Sequence, residues 1–344
     1  MKTNERMTML VVSALFPVLA GLLSVPASAQ SSGLGVMTRG SVMIFPYIDF
    51  ANPARTIVTV TNTNTDRTVC GGAFRMGDVT VYLAYFDDNN CLVTDRFHDL
   101  TPADTLTIRA DELIAGADGH GWLYAEARDP NTGRPIDFDF LIGSVNLGDQ
   151  HPNMKWWYGA YSFESLAAEI GSLFGISTCG HSFVGPNADG VADFNGREYA
   201  PFPQSLYVDL FIGEGTPPEL SMGATIDSRL ILCSPSSTPT TMTMRLYNNN
   251  EVVINRVNQF TCLFRASLAS IAPNARHENL RTSYDPRELG GLPYGWLSLT
   301  ADRGILGCFV QRVIRSDGKP IQGFGRTLHF SGQRFDVTIR RFGV

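Results

Sequence analysis

The sequence predicts an all-β protein with two immunoglobulin-like or related β-sandwich units and a short, partly helical connector. Three observations lead to this prediction. Short runs of alternating apolar and polar residues recur along the chain with turn residues between them, a pattern typical of half-buried strands. Only one stretch has helical spacing. Motifs of the first half also recur, in the same order, in the second half.

The strands of the first half follow from their alternation and from the turns between them. Gly121–Leu147 is predicted to form a hairpin, because Asp129, Pro130, Asn131 and Gly133 make a turn between two extended runs. Pro46 indicates an edge or a bend in the first strand. The predicted strands are Ser41–Phe50, Arg55–Thr61, Val79–Phe86, Leu92–Phe97, Thr105–Ile108, Trp122–Ala127 and Ile136–Val145.

The internal repeat rests on four pairs of motifs. They are Tyr47–Phe50 with Tyr207–Leu210, Arg55–Val58 with Arg229–Leu232, Tyr82–Asn90 with Thr243–Asn250, and Gly133–Ile136 with Gly318–Ile321. The hairpin Gly121–Leu147 then corresponds to Gly307–Phe330. The repeat predicts units at residues 38–150 and 202–344, with a connector at residues 151–201. The alternative is that these matches reflect only the alternation and Asn/Gly turns common to β-proteins.

Residues 1–29 have the three parts of a secretory signal peptide. Lys2 and Arg6 form a charged start, Met9–Val25 is apolar, and Ala27–Ala29 is a small-residue cleavage site. We therefore expect export to the periplasm, the outer surface or the extracellular space. No other apolar run is long enough for a transmembrane helix.

The composition argues against nucleic acid as a partner. The chain has 344 residues and a formal net charge of −6, with no basic patch. Charged residues make up 17% of the chain, below the roughly 25% typical of soluble domains. Ser, Thr, Asn and Gly supply the polar surface instead.

All six cysteines follow the signal peptide, and an even number in an exported protein favours disulfides. The repeat predicts a local Cys70–Cys91 bond around the strand Val79–Phe86. It also predicts a Cys233–Cys308 bond across the second unit and a Cys179–Cys262 bond from the connector. The alternative, a metal site, has no Cys-x-x-Cys or Cys-x-x-His spacing to support it.

The connector contains the helical stretch Phe163–Phe174 and an aromatic cluster, Trp156, Trp157 and Tyr158. Aromatic residues in such a segment fill an interface between units or form a platform on which a sugar stacks. The first interpretation is preferred, and the second makes these three residues candidate ligand-binding residues.

A polar loop in the connector is a candidate calcium site, and calcium is the one cofactor that the sequence suggests. The core Asp-Gly-Val-x-Asp resembles the calcium-binding repeats of thrombospondin-type arrays, although this chain has a single copy and Val191 occupies a ligand position. Calcium prefers several oxygen ligands on a chain that can bend. The candidate ligands are Asn187, Asp189, Asp193, Asn195 and Glu198. The alternative is a turn-rich surface loop.

No motif predicts a catalytic residue. Asp137 and Asp139 would lie on one face of a strand, as the carboxylates of a glycosidase could, but alternation with the apolar Phe138 and Phe140 already explains the pair. The six histidines show no metal-ligand spacing.

Several segments resemble an uncharacterised class of exported bacterial β-proteins. They are Phe45–Asn64, Asn89–Cys91, Leu100–Pro102 and the Gly133–Pro135 turn. The resemblance covers mainly residues 40–147. It implies export and a β-fold, and it implies no activity.

The sequence thus predicts a non-enzymatic exported protein with a structural or adhesive role, whose partner is a surface or extracellular protein or a glycan. The first alternative is a carbohydrate-binding or glycan-active protein. The second is a small outer-membrane β-barrel.

Overall fold

The prediction of an all-β fold is confirmed. The structure, a computed structural model, describes residues 34–51, 56–88, 91, 93–113, 119–148, 155–167, 173–185, 190–218, 220, 223–236, 238–248, 253–280 and 292–341. Within these ranges the helices have one turn each, at Ala110–Leu113, Leu268–Ile271 and His277–Leu280, with a 3₁₀ turn at Pro273–Ala275. No described helix has the length and apolarity needed to cross a membrane. The predicted signal peptide lies outside the described residues.

The first half of the chain forms two antiparallel sheets. Sheet 1 has the order β1-β12-β2-β9-β6-β7, and sheet 2 has the order β11-β10-β3-β8. The strands are β1 (Leu34–Val36), β2 (Val42–Asp49), β3 (Thr56–Asn62), β6 (Val79–Asp87), β7 (Val93–Leu100), β8 (Thr105–Arg109), β9 (His120–Arg128), β10 (Leu141–Gly148), β11 (Lys155–Gly159) and β12 (Tyr161–Phe163). A small ribbon pairs β4 (Val69–Gly71) with β5 (Phe74–Arg75). Alternation in β3 buries Val58 and Val60, which share a core with Leu83 and Leu123 of sheet 1.

The second half repeats this arrangement. Sheet 3 has the order β17-β16-β19-β14-β22, and sheet 4 has the order β18-β15-β20-β21. The strands are β14 (Phe202–Ile212), β15 (Thr225–Cys233), β16 (Thr240–Asn248), β17 (Val253–Phe260), β18 (Leu263–Ser267), β19 (Tyr294–Ala301), β20 (Leu306–Ile314), β21 (Pro320–Thr327) and β22 (His329–Phe335). Leu230 and Leu232 of sheet 4 share a core with Leu206 and Leu299 of sheet 3.

Apart from β1, which has no counterpart in sheet 3, the sheets of the two halves have the same strand order. When the short strands β1, β4 and β5 are left out, the first strand of each half pairs with the sixth, that is, β2 with β9 and β14 with β19. Both pairs shift register at equivalent places, between Phe45 and Ile48 and between Val208 and Phe211. The predicted matches in β2, β3 and β6 therefore lie in corresponding strands. In β2 the predicted match is displaced by three residues, because the bulges make Val208 equivalent to Phe45, whereas the match aligned Val208 with Ile48.

A Gly-Trp-Leu triplet is the clearest sequence signal of the repeat, and the motif analysis missed it. Trp122 stacks on Phe86 and Trp296 stacks on Tyr247, each with ring centroids 3.9 Å apart and planes 2° from parallel. A Cβ on Gly121 would lie 2.1 Å from the Phe86 carbonyl oxygen, and one on the equivalent glycine before Trp296 would lie 2.3 Å from that of Tyr247. Glycine is thus required at both positions by the close approach of the neighbouring backbone.

The predicted hairpin Gly121–Leu147 is wrong. The turn forms, since the Gly133 N–H donates to the Asp129 carbonyl at 2.8 Å, but β9 and β10 then enter different sheets. Its supposed counterpart, β20 and β21, is a true hairpin. The fourth motif pair, Gly133–Ile136 and Gly318–Ile321, therefore matches turn chemistry rather than equivalent places in the fold.

The strand order also differs from the immunoglobulin order. Immunoglobulin domains pair the first strand with the second and the last with the sixth. Here β2 pairs with β9, and β10 pairs with β3, so the outer strands have exchanged sheets. Alternation alone does not reveal this, because it reports which face of a strand is buried and not which strand lies beside it.

The two halves share buried surface, and residues 33–344 form one compact unit. Ile231 and Val310 of sheet 4 belong to the core of the first half. The outer face of sheet 1 is covered by β13 (Val191–Phe194), by β23 (Val337–Arg340), which pairs with it, and by residues around Tyr199. Whether residues 38–150 fold alone stays a prediction.

The connector differs from its prediction. Residues 155–163 form β11 and β12, which complete the two sheets of the first half. The stretch predicted as a helix, Phe163–Phe174, is not helical where it is described. Phe163 is the last residue of β12, and Ser165 makes an isolated bridge to Tyr199. Residues 168–172 of that stretch lie outside the described residues.

The predicted cysteine pairs are wrong, although disulfides do form. Cys70 bonds to Cys179, and Cys91 bonds to Cys262, so the second bond joins the two halves. Cys233 and Cys308 are buried thiols. They lie on neighbouring strands of one sheet, diagonal to each other in register, rather than on facing sheets. Diagonal neighbours are typically about 7–8 Å apart, beyond disulfide reach.

Candidate functional site

A cavity of about 290 Å³ opens where the two halves meet. One wall comes from the first half, with Tyr47, Asp49, His120, Leu147 and Trp156. The other comes from one face of sheet 4, with Arg229, Ile231, Arg265, Val310 and Arg312. The site therefore exists only when both halves are in contact.

The register of sheet 4 explains why arginine and apolar residues share one face. Arg265 lies opposite Ile231 on β15, and Arg229 lies opposite Val310 on β20. The two apolar residues insert into the core of the first half. Their arginine neighbours then lie at the margin of the contact, where their charged ends reach the cavity.

The arginine wall carries an excess of positive charge. Arg229 Nε and Arg312 Nε lie 3.2 and 3.0 Å from the same oxygen, Asp227 Oδ2. Arg265 is exposed, and its guanidinium carbon lies 6.0 Å from the ring centroid of Tyr47. Among the described residues, this part of the cleft holds three guanidinium groups and two carboxylates, those of Asp227 and Asp49. A cationic excess next to a concave surface attracts anions.

The opposite wall is a row of three rings. The ring of Tyr47 lies 5.7 Å from that of His120 and 6.1 Å from that of Trp156, with planes 29° and 13° from parallel. The Tyr47 hydroxyl and His120 Nδ1 are 3.1 Å apart. Burial, reinforced by Asp49, raises the pKa of the Tyr47 phenol well above its usual range, so this group is neutral.

Packing holds the ring row in place. The Tyr47 N–H donates to the Tyr158 hydroxyl at 3.1 Å, and that hydroxyl donates to the Tyr47 carbonyl. Trp156 lies against Gly325 of β21, where a Cβ would come within 2.4 Å of the indole. The second half of the chain therefore helps to orient a tryptophan of the first half.

The structure separates the three aromatic residues of the predicted platform. Trp156 lines the cavity, and Tyr158 is buried behind it. Trp157 points the other way and is 53% exposed. Alternation along β11 causes this division, since neighbouring side chains of a strand point to opposite faces.

The calcium site stays a prediction, because Asn187 and Asp189 lie outside the described residues. The Asn195 side-chain oxygen accepts from the Arg197 N–H at 2.8 Å, and Asp193 Oδ1 accepts from the Thr338 hydroxyl at 2.6 Å. Glu198 is buried 3.8 Å from Arg341. Within the described ranges, no three His, Cys, Asp or Glu side chains cluster as metal ligands do.

Asp139, one of the two alternating aspartates, is a half-buried acceptor rather than half of a carboxylate pair in a cleft. Its Oδ1 accepts from the Ser41 hydroxyl at 2.7 Å and from the Ser165 N–H at 3.0 Å. Burial, aided by the charge of Asp137 and opposed by these hydrogen bonds, raises the pKa of Asp139 to about 6. The carboxyl is therefore better tolerated in its neutral form.

We expect Asp139→Asn to stabilise the protein by roughly 2 kcal/mol at pH 8, because it keeps the acceptor oxygen and removes a charge from a half-buried position. A pKa raised on folding contributes stability below the unfolded value, about pH 4, that is lost as the pH rises to about 6. Urea unfolding across that range should show a fall for the wild type that the variant lacks. Asp302→Asn is the control, since exposed Asp302 also accepts from a backbone N–H. An unchanged pH profile in Asp139→Asn would contradict the assignment.

The sequence analysis missed the arginine wall. Arg229 was identified in the sequence only as part of a repeated motif, and Arg265 and Arg312 were not identified as candidate site residues. The available signal was charge within strands: β15 and β20 each place an arginine next to residues that alternation assigns to a buried face. Such a position indicates an interface or a site.

Comparison with known proteins adds no function. No family model and no curated protein matches the chain. Among solved structures, the Thermotoga maritima protein 1070 is matched over 38% of this chain and 96% of that one, with 5% identity and a TM-score of 0.27. A structure of the T13 particle of the virus IBDV is matched over 89% of this chain and 74% of that one, with 9% identity and a TM-score of 0.16. Likenesses this low support no inference.

Proposed function

We propose that the protein is a non-enzymatic exported binding protein whose cleft between the two halves holds an anionic ligand. The observation that carries this proposal is the meeting of three arginines with a row of aromatic rings in one cavity. Concave sites with a few convergent polar groups and apolar walls are where proteins bind small ligands.

The charges of the cleft favour an anion. Among the described residues, Arg229 donates to Asp227 through Nε, which leaves its terminal N–H groups able to donate to a bound anion. Within the described part of the chain, no carboxylate forms an ion pair with Arg265, whose guanidinium carbon lies 6.0 Å from the centroid of the Tyr47 ring. Guanidinium groups are weakly hydrated, and their planar fork of N–H donors matches carboxylate and phosphate oxygens.

The disulfides support export. Two bonds in one chain indicate an oxidising environment. Together with the predicted signal peptide, they support a periplasmic, surface or extracellular location. A binding protein in such a location suits the adhesive role expected from the sequence.

We also propose that the four large sheets form two β-sandwiches. We treat sheets 1 and 2 as one β-sandwich and sheets 3 and 4 as a second, because each pair contributes to one core. Sheet 4 then uses both of its faces. One face packs inside its own half, and the other packs on the first half and lines the cleft.

Arg265→Gln is expected to weaken anion binding by about tenfold, the usual effect of losing one charged hydrogen bond. Calorimetry with sulfate, phosphate and acetate measures this on the full disulfide-bonded chain. Arg245→Gln is the matched control, because Arg245 is exposed on β16 and lies away from the cleft. Equal affinities in the two variants, or an absence of anion binding in the wild type, would refute the proposal.

A further inference from the structure

We infer that the cleft binds a carboxylate-bearing sugar, one acidic residue at the end of a glycan. The inference rests on the anion-binding function proposed above and names its ligand class. It follows from the ring row, the size of the cavity and the chemistry of the two walls.

The ring row suits the face of a pyranose. Sugars present patches of C–H bonds that pack on aromatic rings, while their hydroxyls need polar partners at the edge. His120 and Trp156, which are half-buried, supply such surfaces at the two ends of the row, and the buried Tyr47 stacks between them with planes no more than 29° apart. The contact of Trp156 with Gly325 fixes the end of the row.

Polar groups are placed beside the rings rather than on their faces. His120 Nδ1 lies 3.3 Å from Asp49 Oδ1 and 3.1 Å from the Tyr47 hydroxyl, so this end of the cleft holds donors and acceptors in a network. Sugar hydroxyls join such networks as donor and acceptor at once. The facing arginines supply the partner for a carboxylate on the same ring.

An inorganic anion would use only half of this site. Phosphate or sulfate needs donors on all sides, yet the cavity is also lined by the rings and by Leu147, Ile231 and Val310. These apolar surfaces gain nothing from a bare ion. A ligand with an apolar face and one planar anionic group uses both walls, because the arginine fork matches a carboxylate.

The size of the cavity limits the ligand to one ring. Small-molecule sites usually span about 300–1,000 Å³, and this cavity is about 290 Å³. It therefore accommodates a single sugar residue, and the rest of a glycan would extend into solvent.

The test compares four probes on the full oxidised chain: methyl glucuronoside, methyl glucoside, acetate and sulfate. Calorimetry and ligand-observed NMR should show the glucuronoside binding about tenfold more tightly than each of the others, since only it contacts both walls. Arg265→Gln should reduce its affinity to that of the glucoside. His120→Ala, at the other end of the ring row, should reduce its affinity toward that of acetate and leave acetate binding unchanged.

The outcomes separate this inference from the function on which it rests. If acetate or sulfate binds as tightly as the glucuronoside and His120→Ala changes nothing, the ligand class is wrong while anion binding stands. If the glucoside equals the glucuronoside, the carboxylate assignment is wrong. If no probe binds, both proposals fail. Trp156→Phe, which keeps a ring against Gly325, repeats the test with less risk to folding, and its melting temperature verifies the fold.

Discussion

Replacing Cys91 and Cys262 together by serine is expected to lower the free energy of unfolding by about 5 kcal/mol. The bond closes a loop across 171 residues and joins a turn of the first half to a turn of the second. Its loss lets the unfolded chain expand, and it also removes the covalent link between the walls of the cleft. Serine keeps the size of the side chain, and the positive φ of both residues, 51° and 60°, is equally unfavourable for cysteine and serine.

Chemical denaturation under non-reducing conditions measures this loss, and Cys233→Ala is the control. Cys233 is a buried thiol, so its truncation to alanine removes one sulfur atom from the core and no cross-link. Peptide mapping should recover Cys70–Cys179 and Cys91–Cys262 and leave two cysteines open to alkylation after unfolding. A double serine variant as stable as wild type would mean that the halves are held by packing alone.

Glu126→Gln is expected to destabilise the protein by about 3–5 kcal/mol, the usual result of removing one partner from a buried ion pair. Glu126 is fully buried, and its carboxylate accepts from Arg341 Nε at 2.9 Å and from Arg128 Nε at 3.1 Å. The hydroxyls of Tyr124 and Tyr199 also donate to it, at 2.8 and 3.0 Å. The variant removes the carboxylate that two buried guanidinium groups share, although Glu198 remains 3.8 Å from Arg341.

The matched control is Asp111→Asn, which breaks an exposed pair with Arg109 at 3.0 Å and should change stability by less than about 1 kcal/mol. A double-mutant cycle sharpens the result. Arg341→Met combined with Glu126→Gln should cost less than the sum of the two single changes, because the double variant leaves fewer unpaired charges buried. Additive losses would show that the groups do not act as a unit.

The same carboxylate makes a pH prediction opposite in sign to that of Asp139. Burial by itself would raise the pKa of Glu126, but Arg341 and Arg128 outweigh it and hold the pKa below its ordinary value. A lowered pKa contributes stability at neutral pH that is lost as the pH falls through the folded-state pKa. Wild type and Asp111→Asn should therefore lose stability as the pH falls through the folded-state pKa of Glu126. Glu126→Gln should show a flatter dependence of stability on pH in the acid range.

The sequence predicted the positions of strands well, because a strand produces an alternation of apolar and polar residues that can be recognised locally. The predicted strands at Val79–Phe86 and Arg55–Thr61 match β6 and β3 within a residue or two. A strand's alternation reports its buried face regardless of its neighbours. The predicted helix at Phe163–Phe174 is wrong in its described part, because a local pattern does not report which neighbouring strands are available. Helical spacing in a short segment gives way when a sheet edge, here that of β2, offers backbone partners.

Turn chemistry misled where it was used to infer pairing. Asp129 and Gly133 make the turn that their sequence predicts, yet the strands on either side separate into two sheets. The Gly-Trp-Leu triplets carried the better information, because close backbone approach and ring stacking constrain both residue types at once. Both triplets are visible in the sequence, but they were not among the motifs from which the repeat was predicted.

By itself, the sequence determined the all-β class, the order of most strands and the duplication of the chain, since these depend on patterns a few residues long. The tertiary structure decided which strands pair, which cysteines bond and where the site lies. Arg229, Arg265 and Arg312 are far apart in the chain and share no motif, and they meet Tyr47 and Trp156 only because Ile231 and Val310 pack into the other half. Contacts of this kind depend on how two apolar faces fit together, and no local pattern encodes that fit.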